Sequence, residues 1–395
     1  MRLAHLADLH LGFRQYHRLT ARGLNQREAD VARAFTTAVD DVIAAGPDAV
    51  VVSGDLFHAV RPTNSAILHA VREFSRLRRL LPEAPIIVIA GNHDTPRSTD
   101  TVSIFGLLHE IGLHVAADEP RRFAFPALGL SVLAVPHQAL FATPRPALEP
   151  AGSEPHQVLM LHGETPGLFA SERDRAAAEA GGAYLTPEDL GSGRWSHVAL
   201  GHYHVQQEVG ERAWYSGSLE YVSPNPWAEL REEARQRIPG KGWLLVDLAS
   251  GAVVRQPIAA PRRVIDLPAL DATELAASEL DRLLAAAVED VAGGIDDAVV
   301  RQVVRNVARP VARELDHAAI RQWKARALHF HLDLRRPEVG ARTVGVGAPG
   351  ERRTLADTVE SYLGARALPA GVDRGRFVAE GVETLAALER EAQEG

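Results

Sequence analysis

The chain of 395 residues contains no cysteine and only two methionines. The absence of cysteine excludes disulfides, thiolate metal ligands and a cysteine nucleophile. Any metal site must therefore use histidine, aspartate, glutamate or asparagine. Long apolar runs are also lacking, because no segment offers the about eighteen uninterrupted apolar residues expected of a membrane-spanning helix. The apolar start of the chain is interrupted by His5, Asp8 and His10, which argues against a signal peptide. We expect a cytoplasmic protein with no membrane partner.

Positive charge is in deficit, since 43 Lys and Arg residues face 51 Asp and Glu residues, for a formal net charge of −8. This balance argues against a generally basic coat for nucleic acid, although an enzyme can place metal ions and a local arginine cluster on an acidic surface. Hydrophobic residues make up 46% and charged residues 24%, which are ordinary values for a soluble chain. The length predicts one large domain with smaller units attached.

The first half of the chain alternates short β-rich runs with amphipathic helical stretches, the pattern of a layered α/β domain. Strands are predicted at residues 2–7, 49–53, 85–90, 130–135, 157–161 and 197–200. A helix is predicted at residues 26–45, with a capping box from Asn25 and Glu28 at its start, and a second at residues 62–80. Polar and histidine-bearing residues follow several strands, where open α/β sheets usually place active sites.

The second half of the chain is predicted to contain smaller units. A strand at residues 242–248 closes the large domain, and Pro261-Arg262-Arg263 opens a new unit. The further predicted elements are helices at 171–182, 273–288, 316–325, 354–363 and 376–392, an apolar run at 299–307 and a strand at 328–335. We predict a large domain at 1–258, a small α/β domain at 259–338, and a linker with C-terminal helices at 339–395.

Five short motifs occur in order, and each ends a strand or follows one directly. They are Asp8-Leu9-His10, Gly54-Asp55-Leu56-Phe57-His58, Gly91-Asn92-His93-Asp94, His162-Gly163-Glu164 and Gly201-His202-Tyr203-His204. Each motif alone is weak, because such short patterns occur by chance in most chains of this length. Their order and their common position at strand ends indicate one catalytic site.

These residue types suit two divalent metal ions, which hydrolyse phosphodiesters by neutralising charge in the transition state and supplying hydroxide at neutral pH. Asp55 is the natural bridging carboxylate, because the glycine before it lets the backbone turn sharply at the strand end. We expect the remaining ligands in two groups, one for each ion: Asp8, His10 and His204, and Asn92, His162 and His202. This donor set suits Mn, Fe or Zn better than Mg alone.

His93 directly follows a predicted ligand and need not bind metal itself. As a catalytic residue it would stabilise the phosphate oxygens or protonate the leaving oxygen. Asp94 would either orient His93 or hold a loop. His58, three residues after the bridging aspartate, is a second candidate for contact with the transition state. Glu164 is explained as well by a structural role, and the histidines outside the five motifs are interpreted as structural.

The ordered motifs are similar to those of the calcineurin-like metallophosphoesterase superfamily. Three segments, residues 10–16, residues 54–58 with Arg61-Pro62, and Tyr215-Ser216-Gly217-Ser218, look like those of the SbcD-type DNA-repair nucleases, relatives of the nuclease in the Mre break-repair complexes. The resemblance implies a four-layer calcineurin-like α/β sandwich, with a small α/β capping domain and C-terminal helices.

The resemblance also implies an activity, cofactors and partners. The activity is that of a double-strand exonuclease and single-strand or hairpin endonuclease in break repair and end processing. The cofactors are two divalent ions, with manganese favoured over magnesium, iron or zinc. The partners are DNA, a second copy of the chain in a homodimer, and an SMC-like coiled-coil ATPase of the SbcC type. Residues 376–392 match the ATPase-binding helix by position only.

Contact with DNA phosphates needs positive charge but no reading of sequence. The candidates are Arg14 and Arg61, and in the predicted capping segment Arg301, Arg305, Arg309 and Arg313. Two alternatives stay open. The same chemistry would serve a nucleotide, another small phosphoester or a phosphoprotein, although the residues after the large domain then have no evident task. A non-catalytic subunit that binds DNA ends would leave the complete ligand set unexplained.

Overall fold

The computed structural model describes residues 1–95, 104–165, 182–191, 193–337, 355–366, 368 and 372–394. The strands are β1 (Arg2–Leu6), β2 (Ala49–Ser53), β3 (Ile86–Ile89), β4 (His114–Ala116), β5 (Arg121–Phe125), β6 (Leu130–Ala134), β7 (His156–Glu164), β8 (Ala183–Tyr184), β9 (His197–Gly201), β10 (Gln207–Gly210), β11 (Ala213–Tyr215), β12 (Gly242–Asp247), β13 (Val253–Pro257), β14 (Val264–Asp266), β15 (Leu270–Asp271), β16 (Val299–Arg305) and β17 (His329–Leu334).

The helices are α1 (Gln26–Ala45), α2 (Asn64–Leu80), α3 (Phe105–Glu110), α4 (Pro187–Leu190), α5 (Pro226–Gln236), α6 (Ala277–Glu289), α7 (Arg309–Glu314), α8 (His317–Arg326), α9 (Leu355–Ala365) and α10 (Arg374–Glu394), with 3-10 turns at Pro126–Leu128 and His137–Phe141. Within the described ranges, no helix has the length and apolar character needed to cross a bilayer. The helix predicted at 171–182 lies outside the described residues except for its last position.

Two sheets packed face to face form the centre of the large unit. The first has the order β13-β12-β1-β2-β3-β4, and the second has the order β10-β11-β9-β7-β6-β5, with β8 beside β7. Strands β1 to β4 are parallel. Every residue of β2 is buried, as expected for a parallel strand covered on both faces. Apolar side chains from both sheets, among them Val51, Ile87, Met160 and Ala199, fill the space between them.

Helices cover the outer face of the first sheet. The helix α1 has the predicted bounds, since Asn25 caps it by accepting a hydrogen bond from the Arg27 amide and Gly46 ends it in the left-handed region. The predicted capping box is wrong, because the Glu28 carboxylate instead accepts hydrogen bonds from the Arg14 guanidinium (2.7 Å) and the Thr63 hydroxyl (2.6 Å). The Thr63 hydroxyl also caps α2, which therefore begins after it.

The outer face of the second sheet is covered by the 3-10 turn His137–Phe141 and by α4, which pack on a separate apolar cluster containing Leu161 and Tyr215. The large unit thus has four layers, as predicted. Since β1, β2, β3, β7 and β9 all lie near the middle of their sheets, the segments that follow them meet at one edge of the sandwich.

A third sheet follows the sandwich in the chain. Its central strand β16 pairs in parallel with β14, β15 and β17. The helices α6, α7 and α8 pack against it around Leu280, Val300 and Trp323. This small α/β unit falls within the predicted capping segment 259–338, and the predicted domain boundaries stay a proposal. A small apolar cluster of Trp227, Val299 and Leu328 joins it to the large unit.

Candidate metal centre

The backbone at the strand ends is unusual. The loops after β1 and β2 run side by side, with the amide of Asp8 donating to the Gly54 carbonyl (3.0 Å) and the amide of His10 donating to the Asp55 carbonyl (2.9 Å). Asp8, His10, Asp55 and His202 have φ angles of 53°, 45°, 49° and 101°, in the region that side-chain-bearing residues rarely adopt. Such strained backbone concentrates at functional sites, and here four predicted ligands share it.

The first predicted ligand group is brought together. Ligand atoms of Asp8, His10 and His204 all lie within 4.8 Å of one another, and all three residues are buried. The Nε2 atoms of His10 and His204 are 3.2 Å apart. Two imidazole nitrogens at that distance need a proton or a cation between them, because two lone pairs facing each other repel.

The second predicted group is also brought together. Ligand atoms of Asp55, His162 and His202 lie within 4.8 Å of one another. The side-chain oxygen of Asn92 lies 2.9 Å from His162 Nε2 and 3.0 Å from His202 Nδ1, so the amide joins the same cluster. The structure therefore places the amide oxygen of Asn92 where the sequence prediction requires a ligand.

Asp55 lies between the two groups. Its Oδ2 atom is 3.3 Å from His162 Nε2 and 3.7 Å from His10 Nε2. Oδ2 is buried and accepts no hydrogen bond from the described residues, whereas Oδ1 accepts one from the His93 amide (2.9 Å). A buried carboxylate oxygen without a hydrogen bond is costly unless a cation compensates it. The carboxylate, imidazole and amide donors around this oxygen would suit divalent metal ions, which would supply that charge.

Two of the imidazoles are oriented from outside the centre. The Nδ1 atom of His162 lies 2.8 Å from the Ser53 carbonyl, and His202 Nε2 lies 3.3 Å from a carboxylate oxygen of Glu164. Each contact favours a ring proton on the outer nitrogen and directs the other nitrogen to the centre. Glu164, whose role the sequence left open, thus contacts a predicted ligand.

The two predicted catalytic histidines lie beside the first group. His93 Nδ1 is 2.7 Å from the His58 carbonyl, and the two rings stack with centroids 5.0 Å apart. His58 Nδ1 lies 3.2 Å from His10 Nδ1. Both residues are half-buried, like Asn92 and unlike the other six predicted ligands, which are buried. With His10 they form a third set of nitrogens within 4.8 Å, which contains no carboxylate.

Family comparisons agree with this geometry. A family model described as calcineurin-like phosphoesterase matches residues 1–234. The chain belongs to the calcineurin-like phosphoesterase family. The four-layer calcineurin-like fold predicted from the sequence is thereby confirmed, and so is the resemblance that led to it.

Two relatives of this phosphoesterase are both called DNA double-strand break repair protein Mre11. The one from Saccharolobus solfataricus is 26% identical over 277 residues, which cover 68% of this chain and 66% of the relative. The one from Methanococcus maripaludis is 40% identical over 111 residues, 28% of each chain. The phosphoesterase thus spans less than two thirds of either relative. The crystal structure of TT1561 of Thermus thermophilus covers 65% of this chain at 11% identity, with a TM-score of only 0.33.

Opposite charges govern the pKa values at the phosphoesterase centre. Although burial alone would raise it, the pKa of Asp55 is held well below its usual value, chiefly by the His162 imidazole. Against the effect of burial, the Asp55 carboxylate in turn raises the pKa of His162 to about 9. Burial raises the pKa of Asp8. The buried Asp55 carboxylate therefore draws positive charge into the centre, as a divalent cation would supply.

Asp94 has a structural role in the phosphoesterase. Its carboxylate accepts hydrogen bonds from the amides of Leu56 (3.0 Å), Phe57 (2.8 Å) and Gly91 (3.0 Å). These bonds tie the loop after β2 to the loop after β3. Burial, and then the charge of Asp55, raise the pKa of Asp94 to about 7. Two roles were left open for Asp94, and the structure supports the one in which it holds the loops after β2 and β3 together.

The predicted DNA-contacting arginines differ in their surroundings. Arg61 is exposed, and Arg14 is exposed but paired with Glu28 at 2.7 Å. Arg301 does not fit the prediction, because it is buried, forms two hydrogen bonds with Asp266 (2.9 and 2.6 Å) and lies over the Trp227 ring. Its guanidinium holds the small unit together and is not available to phosphates.

Three exposed arginines of the small unit do share a concavity. Arg309, Arg313 and Arg336 line a cavity of about 510 Å³ with Val307, Ala312 and Leu334. Arg309 and Arg313 are among the predicted phosphate contacts, whereas Arg336 is not. Arg305 is exposed at the end of β16.

No sequence motif marks a second set of polar residues that lies next to the centre. Glu229 and Glu233 on α5 and Lys241 before β12 are buried behind His204. Only the packing of α5 brings these residues to the centre. The Tyr215 hydroxyl, part of the Tyr-Ser-Gly-Ser motif, donates to the Gly163 carbonyl (2.6 Å) and so braces the strand end beside His162.

Proposed function

We propose that the chain is a metal-dependent DNA nuclease, acting as a double-strand exonuclease and a single-strand or hairpin endonuclease in double-strand-break repair. The observation that carries the proposal is the meeting of two donor groups at the buried Oδ2 atom of Asp55, which accepts no hydrogen bond from the described residues. The Mre11 relatives support the choice of DNA as substrate, because their names describe repair of DNA double-strand breaks.

The residues fall into two binding sets that share Asp55. Asp8, His10 and His204 would hold one ion. Asn92, His162 and His202 would hold the other. We favour manganese, since nitrogen and oxygen donors occur together, with magnesium, iron or zinc as alternatives. When bound, such a pair of ions supplies Lewis acidity and a nucleophile at neutral pH.

His93 and His58 are assigned to the substrate and not to the metals. The His93 amide orients the Asp55 carboxylate, and its ring is held by the His58 carbonyl. Because the Nδ1 proton of His93 is directed to that carbonyl, Nε2 is the atom that would exchange a proton with a phosphate or leaving oxygen. The third nitrogen set lacks a carboxylate to neutralise a divalent ion, which argues against a third metal.

The surface of the small unit supports a polyanionic substrate. The concavity lined by Arg309, Arg313 and Arg336 provides positive charge in a protein whose net charge is −8. Phosphate backbones are bound by such local clusters without regard to base sequence. We include Arg61 and Arg14 as further candidates, and for Arg14 DNA would have to compete with Glu28.

The proposed assembly follows the resemblance to the repair nucleases. It consists of a large nuclease domain at residues 1–258, a capping domain at 259–338 and a C-terminal region at 339–395. In that region α9 and α10 pack against each other. We propose that these helices bind an SMC-like coiled-coil ATPase, that the nuclease domain forms a homodimer, and that the protein acts in the cytoplasm.

Cleavage of end-labelled duplex and hairpin DNA tests the proposal. The wild-type protein should cut both substrates with Mn²⁺, and Asp55→Ala should abolish cutting and lose at least one of two bound ions. Asp290→Ala, at an exposed aspartate beyond α6, is the control and should behave as wild type.

The two alternatives make different predictions in the same assay. An enzyme for small phosphoesters would leave DNA intact but hydrolyse a nitrophenyl phosphodiester, with loss of that activity in Asp55→Ala. A non-catalytic subunit would bind DNA ends and cut neither substrate. Either result would contradict the nuclease proposal.

A further inference from the structure

A buried charged cluster lies directly behind His204. Lys241 Nζ forms ion pairs with Glu229 and with Glu233 (3.0 Å to the latter), and it donates a hydrogen bond to the His204 carbonyl (2.8 Å). The Tyr221 hydroxyl donates to the other oxygen of Glu233 (2.7 Å). The side chains of Lys241, Glu229 and Glu233 are only 1%, 9% and 4% exposed, so none of these charges is solvated.

The charges of this cluster do not balance. One ammonium faces two carboxylates, which leaves one negative charge inside the protein. A buried charge without a partner is strongly destabilising. The packing must therefore place this charge where a positive group compensates it. Both oxygens of Glu233 are partnered, one by Lys241 and one by Tyr221. The excess negative charge therefore lies on Glu229, on the side that faces His204.

One atom of Glu229 faces His204. Its Oε2 atom pairs with Lys241, but Oε1 is buried and accepts no hydrogen bond from the described residues. Oε1 lies 3.5 Å from His204 Nδ1. This separation is longer than a hydrogen bond, and a movement of a few tenths of an ångström would close it. The opposite nitrogen of the same ring, Nε2, faces His10 in the metal centre.

Two other imidazoles of the centre show what such a contact does. His162 has the Ser53 carbonyl at its outer nitrogen, and His202 has the Glu164 carboxylate. Glu229 occupies the corresponding position for His204. A carboxylate at the outer nitrogen of a metal-binding histidine fixes its tautomer and increases the basicity of the inner nitrogen.

We propose that Glu229 is a positioning residue, which accepts the Nδ1 proton of His204 and so directs Nε2 to the metal ion. Lys241 holds Glu229 in place and, through the His204 carbonyl, also holds the backbone that carries the imidazole. The inference rests on the proposed function, because it takes His204 as a metal ligand. Through Glu229, the helix α5 would influence how tightly one ion binds, although α5 lies outside every sequence motif.

Metal binding by the Glu229→Gln variant tests this role. Glutamine keeps the size of the side chain but removes its charge, and its amide would donate to Nδ1 or to Lys241. Calorimetric titration of metal-free protein with Mn²⁺ should show one of the two ions bound about 10–100-fold more weakly, and the other unchanged. Glu233→Gln is the matched control, because Glu233 also binds Lys241 while its other oxygen accepts a hydrogen bond from Tyr221.

Two readouts separate positioning from a merely structural effect. Nitrogen-15 spectra of the metal-free protein should show His204 with its proton on Nδ1 in the wild type and a shift toward the Nε2 tautomer in Glu229→Gln. The rise in melting temperature on addition of Mn²⁺ should be smaller in the variant, since weaker binding stabilises less. A structural role would lower the melting temperatures with and without Mn²⁺ equally, which would overturn the inference.

The outcomes distinguish this inference from the proposed function. If the wild type binds two ions and Glu229→Gln binds both with wild-type affinity, the positioning role is wrong and the nuclease proposal stands. If the wild type binds no Mn²⁺, the proposed function fails. Should Glu229→Gln not fold, Glu229→Asp is the second variant. It keeps the charge beside Lys241 but withdraws the carboxylate from His204 Nδ1, and it should likewise weaken the binding of one ion.

Discussion

Single residues decide the shape of the metal centre. Gly54 has a φ of +92°, and a Cβ there would collide with the His162 imidazole. A Cβ on Gly91 would collide with the Asp55 carboxylate. The motifs therefore contain glycine for two reasons, the turn at the strand end and the close approach of a ligand from another strand. The second reason is visible only when both strands are in place.

At the residue scale, His93→Ala should lower the rate of DNA cleavage by at least about 100-fold, because it removes the proposed proton donor. Two Mn²⁺ should stay bound, since the His93 amide that orients Asp55 survives the substitution. Single-turnover cleavage and elemental analysis for Mn measure the two effects. His17→Ala, which removes an exposed imidazole, is the control. Loss of an ion in His93→Ala would show that His93 is a ligand.

At the scale of elements, one buried contact joins the two sheets of the sandwich. The Nδ1 atom of His5 on β1 lies 3.2 Å from the Nε2 atom of His197 on β9, and both residues are fully buried. Burial lowers the pKa of His197 to about 3, and burial with the neighbouring His197 lowers the pKa of His5 well below its usual value. Both imidazoles are therefore neutral in the folded protein.

This pair predicts a loss of stability in acid. Below about pH 6.5 the unfolded chain binds protons that the folded chain excludes, so the free energy of unfolding falls as the pH falls toward 3. His197 alone should cost about 2 kcal/mol between pH 7.5 and pH 5. Urea unfolding of the metal-free protein at several pH values measures the free energy of unfolding, with His197→Leu as the comparison. Equal pH dependence in both proteins would contradict the assignment.

At the scale of the whole molecule, a few polar contacts fix the small unit against the sandwich. Arg262 donates two hydrogen bonds to the buried Asp30 on α1 (2.7 and 3.1 Å). Tyr16 stacks on His329 with ring centroids 4.0 Å apart, and Trp227 stacks on His331 at 5.7 Å. The next arginine, Arg263, instead bonds to carbonyls of the small unit itself.

These contacts predict that Arg262→Ala uncouples the two units. It removes two hydrogen bonds to the buried Asp30, which keeps Arg27 as a partner at 3.2 Å, so it should destabilise the protein by about 1.5–3 kcal/mol. Calorimetry should show a separate, earlier transition for the small unit. Arg263→Ala is the matched control and should cost only about 1 kcal/mol. A single shared transition in Arg262→Ala would show that the apolar contacts alone couple the units.

The arginine concavity predicts how DNA binding depends on salt. Replacing Arg309 and Arg313 together by alanine should weaken duplex binding uniformly and reduce the slope of log K against log salt by about two. Titrations of labelled duplex at several KCl concentrations measure the slope. Arg326→Ala removes an arginine of the same unit that is already paired with Asp296, and it should leave the slope unchanged. An unchanged slope in the double variant removes the concavity from the DNA path.

The order of elements and the identity of the residues that could form a centre follow from local sequence patterns. Strand and helix bounds follow from local patterns, as in α1, where Asn25 and Gly46 set the ends predicted for it. The five motifs predicted the ligand candidates because strand ends in an α/β sheet meet at one edge. Local pattern failed at Glu28, where two partners from other segments compete with the capping box.

Packing between distant segments sets which nitrogen of each histidine faces the centre and which residue contacts the opposite nitrogen. Those choices depend on contacts between residues far apart in the chain, such as His162 with Ser53 and His204 with Glu229. The same reason explains why the prediction for Arg301 was wrong, since its pairing with Asp266 follows from the register of β14 and β16. Charge and spacing identify the donors, but their protons and partners are set by packing.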